Sequence, residues 1–278
     1  MREGAAVAPC LALCTMGGLI LISDYSIFRL TRIPQNLPAS LKSIQLEENL
    51  ITSLNQSDFT SLRNLETLNL HGNLLSSLEP LALAPLIRLR TLVLRSNALE
   101  VLYKDSFYNL SALEILDLSQ NPLKVIVNGA FSPLTHLNVL HLARLSEKEI
   151  SLNVGVFADL SRVQILDLCD SKYLTQKLVS EGGLGGFKAL RELNLERCEL
   201  PDSKVLCDQL SELSQLRVVK GAGNGFSNGS RSSSSWSAST FTLSRLCPET
   251  GRSAASARAA LARGSRLWRR ARGGNRRS

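Results

Sequence analysis

The sequence predicts an α/β-type repeat solenoid, with short parallel strands on a concave face and irregular or 3-10 segments on a convex face. The first observation is a period: Leu41, Leu65, Leu89, Leu113 and Leu137 lie 24 residues apart. The second is that each of them opens a stretch in which apolar and polar residues alternate, as in a half-buried strand. The third is a hydrophobic content of 44%, which is enough for a continuous core shared by neighbouring repeats.

An uncharged apolar segment, residues 5–22, precedes the repeats. It is typical of a secretory signal peptide, so we expect residues 1–23 to be removed by cleavage after Ser23. The segment also has the length of a short membrane anchor, and a wrongly assigned start of the chain is the third alternative. A signal peptide would direct the protein to the secretory pathway, as an extracellular or membrane-associated protein, the endosome included.

The repeats occupy residues 41–226 and share the motif L-x-x-L/I-x-L-x-x-N-x-L/I. The motif occurs as LKSIQLEENLI, LETLNLHGNLL, LRTLVLRSNAL and LEILDLSQNPL, and more weakly as LNVLHLARLSE. Later copies start at Val163, Leu190 and Leu216, which makes about eight repeats. The motif predicts a leucine-rich repeat horseshoe, which presents a surface for binding. We expect no enzyme and no cofactor, since the chain has no nucleophile elbow, HExxH motif or phosphate-binding loop.

Two apolar columns, which begin at Phe59 and Leu62, are expected to stack under the convex side. An asparagine recurs at the end of each strand, where its amide can bind backbone groups of two coils. This predicted ladder comprises Asn49, Asn73, Asn97, Asn121 and Asn224. Because Leu145, Ser171 and Cys198 take its place in repeats five to seven, we expect the ladder to be broken there and loops such as 171–186 to be released.

The cysteines outside the leader do not have the spacing of a metal site, and no metal is expected. Cys198 and Cys207 are close enough in sequence for a disulfide. The alternative is that Cys198 is a small buried residue. Three N-x-[ST] sequons, at Asn55, Asn109 and Asn228, are candidate glycosylation sites and agree with the secretory route.

The concave face supplies the candidate ligand site. The polar positions expected to point into it are Lys42, Gln45, Glu47, Glu66, Asn69, His71, Arg90, Arg95, Glu114, Asp117, His141, Arg144, Asp167, Arg191, Asn194 and Glu196. From these we select His71, Arg90, Arg95, Asp117, His141 and Arg144. Arg90 and Arg95 beside His71 form a basic spot suited to a phosphate or carboxylate, and the alternative is an ordinary solvated face. His71 and His141 are also candidates for sensing endosomal pH.

Residues 227–278 hold eleven Arg, no Lys and one acid, Glu249. The segment carries a net charge of +10, so the rest of the chain, with an overall charge of +8, carries −2. Its Ser- and Arg-rich composition predicts a disordered tail. Such a tail can bind polyanions such as nucleic acid, heparin or anionic lipid, although it has no specific nucleic-acid motif. The alternative is that the segment comes from an aberrant splice or readthrough.

Residues 30–41, LTRIPQNLPASL, resemble the end of an N-terminal cap of extracellular leucine-rich repeat proteins, and residues 24–40 are assigned to it. Together with the 24-residue repeats, this run resembles the ectodomain of a Toll-like receptor. The resemblance implies an innate-immune protein that recognises a microbial ligand or protein partner and dimerises with a Toll-like receptor. Tyr25 replaces the cap cysteine of that family, and without transmembrane and signalling domains we expect a truncated or secreted form. The alternative is an extracellular matrix or adhesion protein of the same fold.

Overall fold

The computed structural model describes residues 15–16, 19–20, 22–145, 150–200 and 204–224. The predicted tail, Asn228 and most of the predicted leader lie outside these residues. The strands are β1 (Thr15–Met16), β2 (Leu19–Ile20), β3 (Ile22–Asp24), β4 (Ser43–Gln45), β5 (Thr67–Asn69), β6 (Thr91–Val93), β7 (Val101–Leu102), β8 (Ile115–Asp117), β9 (Val125–Ile126), β10 (Val139–His141), β11 (Ile165–Asp167), β12 (Glu192–Asn194) and β13 (Val218–Lys220).

One parallel sheet of nine strands forms the concave face. Its order is β13-β12-β11-β10-β8-β6-β5-β4-β3, so each strand pairs with the strands of the preceding and following repeats. The middle residue of each three-residue strand from β4 onward is buried, and its two neighbours are half-buried. This is the predicted period of two, and it confirms the solenoid with parallel strands.

The convex side is built from turns, short helices and a narrow second sheet. In that sheet β7 pairs with β9 in parallel, while β1 and β2 form an antiparallel pair near the start of the described chain. The helices are the 3-10 helices Gln56–Phe59, Val154–Phe157 and Gly183–Gly186, and the α-helices α1 (Lys172–Ser180) and α2 (Lys204–Glu212).

The two predicted apolar columns are buried under this side. The first contains Phe59, Leu83, Phe107, Phe131, Phe157, Leu184 and Leu210, and the second contains Leu62, Leu86, Leu110, Leu134, Leu160, Phe187 and Leu213. Phe107, Phe131 and Phe157 stack with ring centroids 6.1 and 5.6 Å apart. The aromatic row then changes column, because the next ring, 5.7 Å from Phe157, is that of Phe187. The stacked rings bind four successive coils together.

Repeats six and seven contain helices where a loop was expected, so the prediction of a released loop at residues 171–186 was wrong. Residues 172–180 form α1, whose Leu174 and Leu178 are buried one turn apart, and Leu206 and Leu210 of α2 are buried at the same spacing. The spacing of four residues places each pair on one face of its helix. The longer periods of these repeats therefore accommodate helices packed on the core.

The asparagine ladder is present in the regular repeats. Asn97 accepts the N–H of Leu75 at 3.1 Å and donates to the carbonyls of Leu70 and Leu94 at 2.9 and 3.0 Å. The same pattern recurs at Asn49, Asn73 and Asn121, and Asn224 accepts two backbone N–H groups at the far end. The amides thus hydrogen-bond the backbone groups that the end of each strand leaves free.

The expected break of this ladder across three repeats was wrong in two of them. Ser171 Oγ accepts the N–H of Leu145 at 3.0 Å and donates to the carbonyl of Leu142, and Cys198 Sγ donates to the carbonyl of Leu168 at 3.1 Å. A hydroxyl or a thiol is both donor and acceptor, so it replaces part of the amide's function. Only Leu145 lacks a polar side chain at its ladder position.

The residue before each ladder position has a positive φ in all eight repeats, between 52° and 74°. We call these residues the left-handed column: Glu48, Gly72, Ser96, Gln120, Arg144, Asp170, Arg197 and Gly223. Six of them are not glycine, although this conformation disfavours any residue with a Cβ by about 1–2 kcal/mol. The turn that ends each strand therefore imposes the conformation, whatever the side chain.

The predicted Cys198–Cys207 disulfide is wrong. Cys198 is a free, fully buried thiol that fills its ladder position. Cys207 in α2 is disulfide-bonded, and Cys198 is not its partner. The side chain of Cys198 points into the core, towards the carbonyl of Leu168, and it therefore behaves as the small buried residue of the alternative interpretation.

The first strand of the large sheet contains the predicted cleavage position. Ile22, Ser23 and Asp24 pair with Ser43, Ile44 and Gln45 of β4, and Ser23 is buried. Cleavage after Ser23 would divide this strand. Among the described residues, no helix combines the length and the apolar character that a membrane crossing requires.

Candidate functional site

A concave pocket of about 360 Å³ lies on the sheet at repeats three to seven. It is lined by Arg95, Asp117, Ser119, Gln120, His141, Ala143, Arg144, Asp167, Cys169 and Asn194. Four of the six predicted ligand-site residues are among them. The pocket thus brings Arg95, Asp117, His141 and Arg144 together.

Three columns of side chains build this pocket. The left-handed column contributes Gln120 and Arg144. The last residues of the strands form the strand-end column: Gln45, Asn69, Val93, Asp117, His141, Asp167, Asn194 and Lys220. Two positions further on lies the turn column: Glu47, His71, Arg95, Ser119, Ala143, Cys169, Glu196 and Ala222.

The depth of the pocket comes from the turn column. Ser119, Ala143 and Cys169 are small, whereas the same column has Glu47, His71 and Arg95 before them and Glu196 after them. Three consecutive small side chains leave space above the strand ends. This run is visible in the sequence once the columns are aligned, and it is the feature that could have located the pocket.

The floor of the pocket is a row of three ionisable side chains on neighbouring strands. His141 of β10 is the direct partner of Asp117 on β8 and of Asp167 on β11. Each aspartate uses one carboxylate oxygen to accept the N–H two residues later, from Ser119 at 2.9 Å and from Cys169 at 3.0 Å. These bonds fix the carboxylates in place at the strand ends.

His141 and Asp167 form the ion pair of the floor. His141 Nδ1 lies 3.6 Å from Asp167 Oδ2, and both side chains are half-buried. Interaction with Asp167 raises the pKa of His141, against the opposing effect of burial. Burial favours the neutral acid of Asp167, but His141 and the N–H of Cys169 together lower the pKa of that carboxyl. The pair is therefore charged when His141 is protonated.

Two arginines form the rim. Arg95 Nε donates to Gln120 Oε1 at 2.7 Å, a neutral partner. Arg144 lies 3.5 Å from the carboxylate of Asp170, which already accepts two hydrogen bonds from Arg197 at 2.7 and 2.8 Å. The bidentate contact with Arg197 lowers the pKa of Asp170. Arg144 and Arg197 thus share the carboxylate of Asp170, which leaves a net positive charge beside the pocket.

Cys169, at the back of the pocket, is a free and half-buried thiol. Burial and the nearby charge of Asp170 raise the pKa of Cys169 to about 11. The nucleophilic form of cysteine is the thiolate, so this side chain lines the pocket without being activated for chemistry.

The other two predicted ligand residues lie outside the pocket. Arg90 is exposed and pairs with Glu114 at 2.7 Å, at the opposite end of β6 from Arg95. His71 engages both ring nitrogens, with the carbonyl of Arg95 at 3.1 Å and with Glu48 at 3.3 Å. The predicted basic spot is therefore divided: Arg90 lies before the start of its strand, whereas Arg95 and His71 lie beyond the ends of theirs.

Asp167 and Asn194 were predicted on the concave face but were not selected for the site. Ser119, Gln120, Ala143 and Cys169 were missed because they are uncharged residues of the turns, where only charged residues such as Arg95 and Arg144 were selected. Within the described part of the chain, no group of three or more His, Cys, Asp or Glu side chains is suited to hold a metal ion.

Two of the three predicted glycan acceptors lie within the described residues. Asn55 is exposed before the 3-10 helix Gln56–Phe59, and its N–H donates to Asp58 at 2.8 Å. Asn109 is exposed as well, with its amide nitrogen 3.0 Å from the carbonyl of Ala84. Both lie between strands, away from the pocket.

Comparison with known families gives one match. The family model described as leucine rich repeat matches residues 39–99 and 87–144. The matched region covers β4 to β10, and the same sheet continues beyond it through β13. No curated protein matches the chain significantly. The matches indicate a leucine-rich repeat protein, a class that suggests a module for protein–protein interaction.

Proposed function

We propose that this leucine-rich repeat protein is an extracellular recognition module of innate immunity, which binds its ligand in the concave pocket. The observation that carries the proposal is the pocket itself, where fixed charges of both signs surround open space on the sheet. Pockets with a few convergent polar groups are the usual sites of specific binding. The side chains are suited to hold a ligand and offer no activated nucleophile.

The innate-immune assignment is supported by the sequence around the cap. The run LTRIPQNLPASL and the 24-residue repeats resemble Toll-like ectodomains. Ile33 and Leu37 of this run are buried against the first repeat, and the N–H of Leu30 donates to Asn49 at 2.9 Å. A segment that is continuous with the repeat core is what a cap requires, since an open solenoid end exposes apolar surface.

The extracellular assignment is supported by the apolar leader and by the exposure of Asn55 and Asn109. It is tested by expressing the chain in a human secretory cell line and treating the medium with a glycosidase. We expect a secreted product that loses mass on treatment. An unglycosylated product in the cytosol would contradict the assignment.

Ligand binding is tested with the secreted protein on a panel of immobilised molecules. The panel holds a bacterial lipopeptide, a lipopolysaccharide, a flagellin and a single-stranded RNA, with collagen and fibronectin for the adhesion alternative. We expect at least one microbial product to bind, and to bind the Arg144→Glu variant about tenfold more weakly, because a charge inside the pocket is reversed. Glutamate is compatible with the left-handed conformation of Arg144, since Glu48 adopts it.

The matched control is Arg90→Glu, which reverses a charge on the same face but outside the pocket. It should bind as the unchanged protein does. Equal binding by the Arg144→Glu variant would show that the pocket is not the site. Binding to collagen or fibronectin alone would favour a protein of matrix or adhesion.

A further inference from the structure

The pocket contains one unpaired charge of each sign. No basic nitrogen lies within 4.0 Å of the Asp117 carboxylate among the described residues, and no carboxylate lies that close to Arg95. The other charged side chains have a partner of opposite sign within 4.0 Å: Asp167 has His141, and Arg144 has Asp170, which it shares with Arg197. Arg95 and Asp117 are therefore the groups from which a ligand would gain most.

These two side chains are held apart by the fold. Val93 is the direct partner of Asp117 in the sheet, and Arg95 follows Val93 by two residues. Two residues of extended chain span about 7 Å. Arg95 is also fixed by Gln120, and Asp117 by the N–H of Ser119. Two opposite charges held at offset positions on neighbouring strands favour a ligand that carries the complementary pair.

An extended peptide carries such a pair naturally. Side chains at positions i and i+2 of an extended chain lie on one face about 7 Å apart. The space for them is provided by the small side chains of Ser119, Ala143 and Cys169. Asn194 and Gln120 add neutral donors and acceptors at the two sides of the pocket.

We propose that the pocket binds an extended segment of a protein partner in which a basic and an acidic residue are separated by one residue. The basic side chain contacts Asp117, and the acidic side chain contacts Arg95 and the neighbouring Arg144. This inference rests on the proposed function, since it specifies the chemistry of the ligand at the same site. A purely acidic ligand would meet Asp117 and Asp167, and a purely basic one would meet Arg95 and Arg144.

The test uses the full secreted chain and four fluorescein-labelled peptides, with binding followed by fluorescence polarisation. The peptides are GGSKSEGSG, GGSKSQGSG, GGSQSEGSG and GGSQSQGSG. We expect the first to bind more tightly than either singly charged peptide by about three- to tenfold, the range of a partly buried ion pair. The uncharged peptide should bind most weakly.

Two substitutions assign the contacts. Asp117→Asn keeps the bond from the Ser119 N–H and should abolish the preference for lysine over glutamine while leaving the preference for glutamate. Arg95→Gln should do the reverse. The Arg90→Gln variant, outside the pocket, should bind all four peptides as the unchanged protein does, and circular dichroism checks that every variant is folded.

Equal binding of the four peptides, or no binding of GGSKSEGSG up to millimolar concentration, would overturn the inference. A microbial product that still binds the Asp117→Asn and Arg95→Gln variants fully would leave the proposed recognition function standing without this ligand class. Selective binding of GGSKSEGSG without binding of any microbial product would support this inference and contradict the innate-immune assignment.

Discussion

His141 is the side chain on which the electrostatics of the pocket depend. It lies between Asp117 and Asp167 on adjacent strands, whose charges favour its protonation, whereas the charge of Arg95 opposes it. When the imidazole is neutral, the floor carries two uncompensated carboxylates. When it is protonated, one of them is neutralised. The charge presented to a ligand is therefore coupled to the pH of the compartment.

The first prediction concerns the stability of the His141–Asp167 pair. The pKa of His141 is raised above its ordinary value of 6.5. Its contribution to the free energy of unfolding is therefore complete below pH 6.5 and is lost as the pH rises through the raised pKa. Because the pKa of Asp167 is lowered from 3.8, its contribution is complete above that pH and is lost at still lower pH. The pair therefore stabilises most between about pH 4 and 6.5.

We expect His141→Gln to reduce the free energy of unfolding by roughly 1 kcal/mol or less at pH 5.5, and by much less at pH 8.5. Urea unfolding at both pH values measures the difference. His136→Gln is the matched control, since the ring of His136 contacts the carbonyl of Ser111 at 2.8 Å and no carboxylate of the described residues lies within 4.0 Å of it. A loss for His141→Gln that is the same at both pH values would contradict the electrostatic origin.

The strands and the ladder at their ends form one connected system. Each three-residue strand makes few hydrogen bonds of its own, and the asparagine beyond it joins the backbones of two coils. The left-handed residue before the asparagine turns the chain so that the amide reaches the core. Strand, turn and ladder thus depend on one another, which explains why repeats with different loops keep the same strand ends.

The second prediction tests the ladder. Asn97→Ala leaves the Leu75 N–H and the carbonyls of Leu70 and Leu94 without the side-chain partner they have now. Each buried group without a partner costs about 1–3 kcal/mol, so a loss of roughly 3–5 kcal/mol is expected in urea unfolding. Asn64→Ala, which removes two exposed bonds, one to the carbonyl of Ala39 and one from Arg88, should cost less than about 1 kcal/mol because water replaces both partners. Similar losses for both variants would show that burial of the ladder is unimportant.

The third prediction concerns the turn after α1. A Cβ on Gly186 would lie 2.7 Å from the carbonyl oxygen of Phe157, a backbone atom that cannot rotate away. We expect Gly186→Ala to destabilise the fold by about 1–3 kcal/mol, as overpacking does. Gly185→Ala is the adjacent control, because a Cβ there meets nothing within 4 Å. Equal melting temperatures for the two variants would contradict the close packing of this turn against the preceding repeat.

The sheet extends from Ile22 to Lys220, and each strand pairs only with its neighbours in the stack. The stability of such a solenoid is approximately a sum of repeat and interface contributions. The pocket spans five of these repeats, so its geometry depends on how accurately they stack. The aromatic row from Phe107 to Phe187 lies in four of these repeats, three to six, and holds them in register.

The period of the sequence was sufficient to predict the strands, the buried columns and the ladder asparagines, because these positions require particular residue types. The left-handed column was not predictable, since its conformation is imposed by the turn and accepts residues as different as Asp170 and Arg197. The prediction that Arg90 and Arg95 form one basic spot was wrong for a geometric reason. Five residues along a strand and its turn span about 16 Å, so the two arginines lie at opposite ends of β6.

The last prediction concerns the end of the stack at which β3 lies. Ser23 is buried at 1% exposure, and the carbonyl of Tyr25 accepts a hydrogen bond from the Asn49 ladder amide at 2.9 Å. Removal of Ile22 and Ser23 would leave β4 as an edge strand with unpaired backbone groups. If the leader is cleaved, we therefore expect the mature chain to begin at or before Ile22, and not after Ser23.

Intact-mass analysis of the secreted, deglycosylated protein identifies its first residue. A chain that begins at Asp24 should also melt several degrees below one that begins at Ile22, since about 1 kcal/mol corresponds to roughly 2–4 °C in a domain of this size. A mature product that begins at Asp24 and melts at the same temperature would show that β3 contributes nothing to the stack. The strand would then be an accessory of the leader, and the cap would begin at Tyr25, whose carbonyl is the first group bound by the ladder.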